Sequence, residues 1–312
     1  MKIIFFGSDD FALAYLQALI NTPHEVAACV TQPDRRKGRG MKVIVSSIKD
    51  CAQKHSIPVL QPESLKDALF IKKLKSFKSD IFVVIAYGQF LPELVFNISP
   101  FGAINVHPSL LPKYRGAAPV NWAIINGEQE TGIAIIKINA KMDAGDVLAL
   151  TKIKIADDDT AVTLRAKMMH IGPAFLAQTL DGLCRGTACR TPTAQNDRLA
   201  TIAPKLTKEL GIISWTRKAV DIYNLVRGLL PWPSAYTFYK GKLLKILEAQ
   251  VIEEDVSQSE PGTVLKIIKE GFVVATGQKG LLIKRVHLQD SKPMDVSAFL
   301  RGHEIKVGFK FE

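Results

Sequence analysis

The feature that most constrains this chain is the alternation, across its first half, of short apolar runs with stretches of helical spacing. Residues 2–6, 26–31, 81–86 and 103–106 are apolar almost throughout, as strands covered on both faces must be. Between the first two, Phe11, Ala14, Tyr15, Ala18 and Leu19 recur at helical spacing and make one apolar face. Strand, helix and strand form a βαβ unit, and the continued alternation predicts an α/β fold with a mainly parallel, Rossmann-like sheet. Residues 65–77 predict a lysine-rich amphipathic helix, and residues 131–138 and 147–155 two further strands. Residues 160–183 predict a long helix interrupted near Gly172-Pro173.

The pattern changes near residue 190. Residues 190–207 are polar and turn-rich, with Pro192, Gln195, Asn196, Asp197 and Pro204 and no clear period, and they read as a linker. Beyond them a helical stretch at 216–228 precedes strand-like segments at 235–239, 243–251, 263–269, 271–276 and 280–287. Short strands separated by Gly or polar turns predict a small, OB-like β-barrel. The expected organisation is an α/β domain over 1–189, a linker over 190–207 and a C-terminal β-barrel domain over 208–312. A chain of 312 residues suits one large and one smaller domain.

Composition excludes several classes. With 47% hydrophobic and 23% charged residues the chain belongs with ordinary globular proteins, not disordered ones. No run approaches the roughly 20 apolar residues of a membrane span. The N-terminal apolar run stops at Gly7-Ser8 without a cleavable leader pattern, so a cytoplasmic protein is expected. Cys29, Cys51, Cys184 and Cys189 include no CxxC pair, so reduced thiols and no metal site are expected. The net charge of +11 favours a polyanionic partner without identifying it.

The common nucleotide and hydrolase fingerprints are missing. The first strand is followed by Gly7-Ser8-Asp9-Asp10-Phe11 instead of G-x-G-x-x-G, and neither a Walker A motif nor a G-x-S-x-G elbow occurs. The densest constellation runs from Asn105-Val106-His107-Pro108-Ser109 through Leu110-Leu111-Pro112-Lys113-Tyr114 to Arg115-Gly116-Ala117-Ala118-Pro119. It follows the strand at 103–106, so it emerges at the carboxyl edge of the sheet, where open α/β folds place their ligands. An Asn and a His two residues apart project from one face of a strand. The amide donates, and the imidazole donates or carries a proton, as attack on a carbonyl requires. Each has a plainer reading as well: Asn105 as a turn cap and His107 as a satisfied structural residue. A carboxylate between the later strands could orient the imidazole; Asp143 and Asp146 compete for that part, and spacing alone does not choose.

Asn105-x-His107, the Ser-Leu-Leu-Pro-x-Tyr-Arg-Gly-Ala-Ala-Pro that follows, and Asp143-x-Gly145-Asp146 resemble the folate-dependent formyltransferases. The agreement continues through Thr31-Gln32-Pro33-Asp34-Arg35, Gly38-Arg39-Gly40, Ala86-Tyr87-Gly88, Gly127-Glu128-x-Glu130-Thr131-Gly132, Ala203-x-Lys205-Leu206, Trp215 and Pro231-Trp232-Pro233. It spans nearly the whole chain and is strongest to the branch whose acceptor is methionyl initiator tRNA. Two small departures are Gly-Ser-Asp-Asp in the first turn, where Gly-Thr-Pro-Asp is common, and Pro108 after His107. The resemblance implies 10-formyltetrahydrofolate as co-substrate, no metal and no obligatory protein partner. It implies Asn105, His107 and Asp143 as the catalytic set, and a folate site from Ser109, Leu110, Leu111 and Pro112 with Tyr87, Gly88, Phe90, Leu91, Asn139 and Ala140. It also implies tRNA contacts from the basic loop Arg35, Arg36, Lys37, Arg39 and Lys42 and from Lys205, although a basic loop by itself reads equally as a solvated turn. Two competing functions are transfer to an aminosugar nucleotide, and folate or RNA binding without catalysis.

Overall fold

The apolar runs become the strands of one seven-stranded sheet. The structure, a computed structural model, describes residues 1–37, 42–44, 46–186 and 192–311. The readings of Gly38, Arg39, Gly40 and Cys189 fall outside the described residues. In chain order come β1 (Lys2–Gly7), α1 (Asp10–Ile20), β2 (Glu25–Val30), β3 (Arg35–Lys37), β4 (Lys42–Ile44), α2 (Ser47–Lys54) and β5 (Val59–Leu60). Then follow α3 (Ala68–Ser76), β6 (Ile81–Ile85), α4 (Glu93–Phe96), β7 (Ala103–His107), β8 (Arg115–Gly116), α5 (Pro119–Ile125), β9 (Glu130–Lys137), β10 (Val147–Lys154) and α6 (Ala161–Cys184). The remainder is β11 (Ile202–Ala203), α7 (Ala219–Gly228), β12 (Ala235–Tyr239), β13 (Lys242–Ile252), β14 (Val264–Ile268), β15 (Gly271–Ala275), β16 (Gly280–Leu288), β17 (Met294–Asp295) and α8 (Val296–Gly302).

The chain packs as two compact units. The first holds Met1–Gly116, Glu130–Lys154 and Arg165–Ala203; the second holds Ala117–Gln129, Ile155–Leu164 and Pro204–Glu312. The first unit's sheet has the order β10-β9-β7-β6-β1-β2-β5. Its five strands β5, β2, β1, β6 and β7 pair in parallel, in the order of a doubly wound fold, while β9 and β10 extend it antiparallel. Chain direction thus brings the carboxyl ends of β1, β6 and β7 to one edge. Three helix starts have a local cause: the side chains of Asp9, Ser46 and Asp67 accept from backbone N–H groups at the heads of α1, α2 and α3. The cap at Asp67 explains why α3 begins at Ala68 and not at residue 65.

Helix α6 is continuous, contrary to the expected interruption: Pro173 lies inside it. Gly172 is there because the helix passes so close to α1 that a Cβ would stand 1.8 Å from the Tyr15 hydroxyl. The supposed linker is also structured. Thr193 bridges Val147, and β11 pairs with β8, so residues up to Ala203 belong to the first unit.

In the second unit the sheet is antiparallel, ordered β12-β13-β16-β15-β14, with β17 on β16. Strands β12 and β14 end this path, and the short antiparallel strands expected from the pattern form one C-terminal β-sheet domain. Its core includes Trp215, Ile222, Leu225, Leu244, Phe272, Phe299 and Phe311. Two pieces of the chain's first half belong here for a polar reason. Buried Arg227 donates to the carbonyls of Ala156 and Asp159, while Asn121 donates to Gly228 O and Trp122 to Pro204 O. Among the described residues no helix is long and apolar enough to cross a membrane.

Replacing Gly172 with Ala is expected to lower stability by about 1–3 kcal/mol, because the added methyl forces α6 off Tyr15. A urea unfolding midpoint equal to the parent's would show that the helix can shift without cost.

Candidate active site

Strand β7 builds the site. Pairing with β6 and β9 fixes its register; Ile104 and Val106 are buried on one face, and Asn105 and His107 follow Ala103 on the other, at the strand's carboxyl end. His107 is 4% exposed. Its Nε2 lies 2.8 Å from Tyr114 O, and a carbonyl only accepts, so Nε2 carries the hydrogen. Nδ1 faces Asp143 Oδ2 at 3.6 Å, beyond direct hydrogen-bond length. A proton arriving at Nδ1 would therefore meet a carboxylate on that side.

Of the two aspartates that spacing left open, it is Asp143 that lies beside Asn105 and His107. Its Oδ1 accepts from Asn105 Nδ2 at 3.2 Å and its Oδ2 from Gly116 N–H at 2.9 Å. Asp146 is exposed, and its backbone carbonyl accepts from Lys137 N at 2.9 Å. Asn105, His107 and Asp143 thus form one hydrogen-bonded and electrostatic cluster, with three chemistries side by side: a neutral donor, a proton carrier and a fixed negative charge.

Backbone strain gathers at the same edge. Ala86, Tyr114 and Asp143 have φ of 44°, 63° and 50°, and Gly116 has 121°. Left-handed conformations at non-glycine residues cost on the order of 1–3 kcal/mol each and persist only where the surroundings enforce them. Gly116 is required on two counts, since a Cβ would also stand 2.7 Å from Ala203 O.

The expected folate-site residues divide into two groups. Leu91 is core, and Leu111 packs against Ala134 and Ile136. Ser109 is buried with its hydroxyl donating to Lys113 O at 2.7 Å, closing the turn around the cis Leu111-Pro112 bond. Asn139 is likewise engaged, its Oδ1 accepting from Lys141 N at 2.9 Å. Burial pushes the Tyr87 phenol up to about 12, and Tyr87 O already accepts from Ser8 and Gln32 at 3.1 Å each. The accessible surface comes from Phe90 and Met142, 58% and 57% exposed, from half-buried Leu110, from exposed Ala140 and from open space beside Gly88, where a Cβ would meet nothing within 4 Å. Phe90, Met142 and Leu110 thus leave apolar surface accessible.

The basic loop contributes a short hairpin, β3 with β4, that the sequence did not suggest; Arg35, Arg36 and Lys37 are on one strand and Lys42 on the other. Lys205 is exposed in the second unit. Sequence reasoning missed Arg115, Gly116 and Gln195, which touch Asp143 or each other. Arg115 and Gly116 lie inside the quoted motif and could have been singled out. Gln195 offered no local signal.

A family model described as formyl transferase matches residues 1–180, and one described as formyl transferase, C-terminal domain, matches residues 205–304. A methionyl-tRNA formyltransferase of Acetivibrio thermocellus is 44% identical over 99% of this chain and 98% of its own. Among solved structures, a methionyl-tRNA formyltransferase from Clostridium thermocellum is similar with a TM-score of 0.55 at 18% identity, over 81% of this chain and 94% of that one. WlaRD, a sugar 3N-formyl transferase crystallised with dTDP and 5-N-formyl-THF, is similar with a TM-score of 0.67 at 16% identity, over 94% of this chain and 99% of that one. At such identities the two structures speak to the fold alone.

The geometry ranks the two aspartates. Asp143→Asn is expected to displace the ring nitrogen resonances of His107, whereas Asp146→Asn leaves them in place; nitrogen-15 spectra of histidine-labelled protein decide it, and the opposite ranking would move the role to Asp146.

Proposed function

This chain belongs to the formyl transferase family, among the methionyl-tRNA formyltransferases, and on that premise we propose that it transfers the formyl group of 10-formyltetrahydrofolate to the α-amino group of methionyl initiator tRNA. The observation that carries the reading is the convergence of Asn105, His107 and Asp143 at the end of β7. The folate co-substrate supplies an activated formyl carbonyl. As the amine nitrogen bonds to the formyl carbon, negative charge grows on the formyl oxygen. Asn105 Nδ2 donates toward it with the hydrogen not given to Asp143, and the His107 imidazole, when it holds a proton, stabilises it through its charge. The carbon–N10 bond then breaks, and the proton lost by the amine passes toward N10, with Asp143 holding the imidazole that relays it. These steps are complete without a covalent enzyme adduct. The pterin is assigned to the surface of Phe90, Leu110 and the backbone at residues 87–91 and 139–143, with Ser109, Leu111, Pro112 and Leu91 shaping it from behind.

The tRNA is assigned to the basic segment of sequence with Arg35, Arg36, Lys37, Arg39 and Lys42, and to the second unit, with Lys205. The net charge of +11 supports this, since it favours a polyanionic partner. In the second unit a cleft of about 850 Å³ is lined by Lys245, Lys284 and Arg285, alongside Asp157, Asp158 and Glu248. Translation initiation in the cytoplasm is the corresponding setting. Transfer to an aminosugar nucleotide is the second reading, favoured only by likeness of fold. Incubation with 10-formyltetrahydrofolate and either methionyl-tRNA or an aminosugar nucleotide separates them: formylation of the sugar alone would overturn the proposal.

Asn105→Ala and His107→Ala are each expected to cut turnover about a hundred- to a thousandfold with folding intact, since removing one oxyanion donor typically has that effect. Near-normal kcat in either variant would sink the assignment. Arg39→Ala is expected to impair use of charged tRNA and blur initiator preference, and to reduce the slope of log affinity against log salt by about one if its contact is a phosphate. Folate affinity should not change. Kinetics with each substrate varied in turn provide the check, and weakened folate binding with unaltered tRNA kinetics would show that the loop serves the other ligand.

A further inference from the structure

Gln195 lies in a stretch whose composition marks it as a linker, yet every polar atom of its carboxamide is used. Nε2 donates to Asp143 O at 2.8 Å and to Gly145 O at 2.7 Å. Oε1 accepts from Arg115 Nε at 3.0 Å and from Arg115 Nη2 at 2.9 Å. This arrangement also fixes the orientation of the amide, because the reverse would set its oxygen against two carbonyls and its NH2 against a guanidinium.

The two ends of Gln195 reach the two loops that hold the reacting groups. On one side is Asp143, whose φ of 50° an L-residue adopts only under constraint, followed by Gly145, packed so closely on β9 that a Cβ would stand 1.7 Å from Lys137 O. On the other is Arg115, whose side chain is 10% exposed and whose Nη2 also donates to Asp197 Oδ1 at 2.8 Å. Arg115 sits between Tyr114, the carbonyl partner of His107 Nε2, and Gly116, the N–H partner of Asp143 Oδ2. The ladder of β8 with β11, and the bond from Tyr114 N–H to Thr201 Oγ1 at 2.8 Å, tie the same loop to the segment that carries Gln195.

We propose that Gln195 is a positioning residue for formyl transfer. It does not touch substrate; it holds the left-handed turn at Asp143 in register with the Tyr114–Gly116 loop, and so sets the carboxylate against His107 and Asn105. This rests on the function proposed above. A clasp that only added stability would leave turnover intact in folded protein, and a positioning residue does not.

The test compares the full chain with Gln195→Glu, Asp143→Asn and the double variant. The introduced carboxylate keeps the pairing with Arg115 but turns an oxygen toward the carbonyls of Asp143 and Gly145. Gln195→Glu is expected to lower kcat about ten- to a hundredfold, with KM for both substrates within about twofold, because the reacting groups are displaced and not the binding surfaces. It should displace the His107 ring resonances in the direction seen with Asp143→Asn, and add little further loss in the Asp143→Asn background. A folded Gln195→Glu protein with kcat within about twofold of the parent, or losses that multiply in the double variant, would overturn the proposal. If the parent does not formylate methionyl-tRNA, the functional reading has failed, and the His107 spectra alone judge Gln195: unmoved resonances refute its positioning role and displaced ones support it. Should Gln195→Glu not fold, Gln195→Asn, which keeps the amide on a shorter stem, takes its place with the same outcomes expected.

Discussion

A carboxylate withdrawn from water needs donors from the protein, and Asp143, its side chain 14% exposed, has them from separate stretches of chain. Asn105 comes from the end of β7, Gly116 N–H from β8, and His107 approaches from the first of these strands. Satisfying the carboxylate therefore brings the three stretches together. Asn105 is held by its bond to Asp143, and His107 is held between Tyr114 O and the carboxylate. Loss of that negative charge would release partners on both loops at once, which is why the pieces of this site cannot be understood one at a time.

The parallel sheet provides the rigidity against which this cluster is set. Strand β7 is flanked by β6 and β9, and its neighbours are buried aliphatic residues that leave little freedom to slide. The loops beyond the strand ends carry the strain instead, at Ala86, Tyr114 and Asp143. Stiff strands with constrained loops at one edge suit chemistry that needs a few groups at fixed separation while a planar ligand slides in beside them.

Much of this was legible in the sequence, and the misses have physical causes. A strand buried on both faces must be apolar throughout, so β1, β2, β6 and β7 stood out, and with them the position of Asn105 and His107. Asp143 and Asp146 could not be separated because the left-handed turn that aims one inward is a property of three dimensions. The structure of residues 193–203 is hidden in the sequence for a different reason. Polar side chains without a period describe a solvated linker and an internal hydrogen-bond network equally well, and only the partners of Gln195, Arg115 and Thr201 tell them apart. The long helix was split at Gly172-Pro173 on backbone grounds, whereas the glycine is there for Tyr15.

The bond from Gln195 to Asp143 O spans 52 residues. Ribosomes add about 5–20 residues per second, so the turn that aims the carboxylate waits roughly 3–10 s between its own synthesis and the arrival of the side chain that locks it. The sheet strands are complete well before then. During that interval a nascent chain has the strand bearing Asn105 and His107 but lacks the amide that bonds Asp143 O, which arrives only with the last stretch of the first unit. Any product cut short before residue 195 would carry Asn105, His107 and Asp143 and still leave the turn at Asp143 without its amide partner.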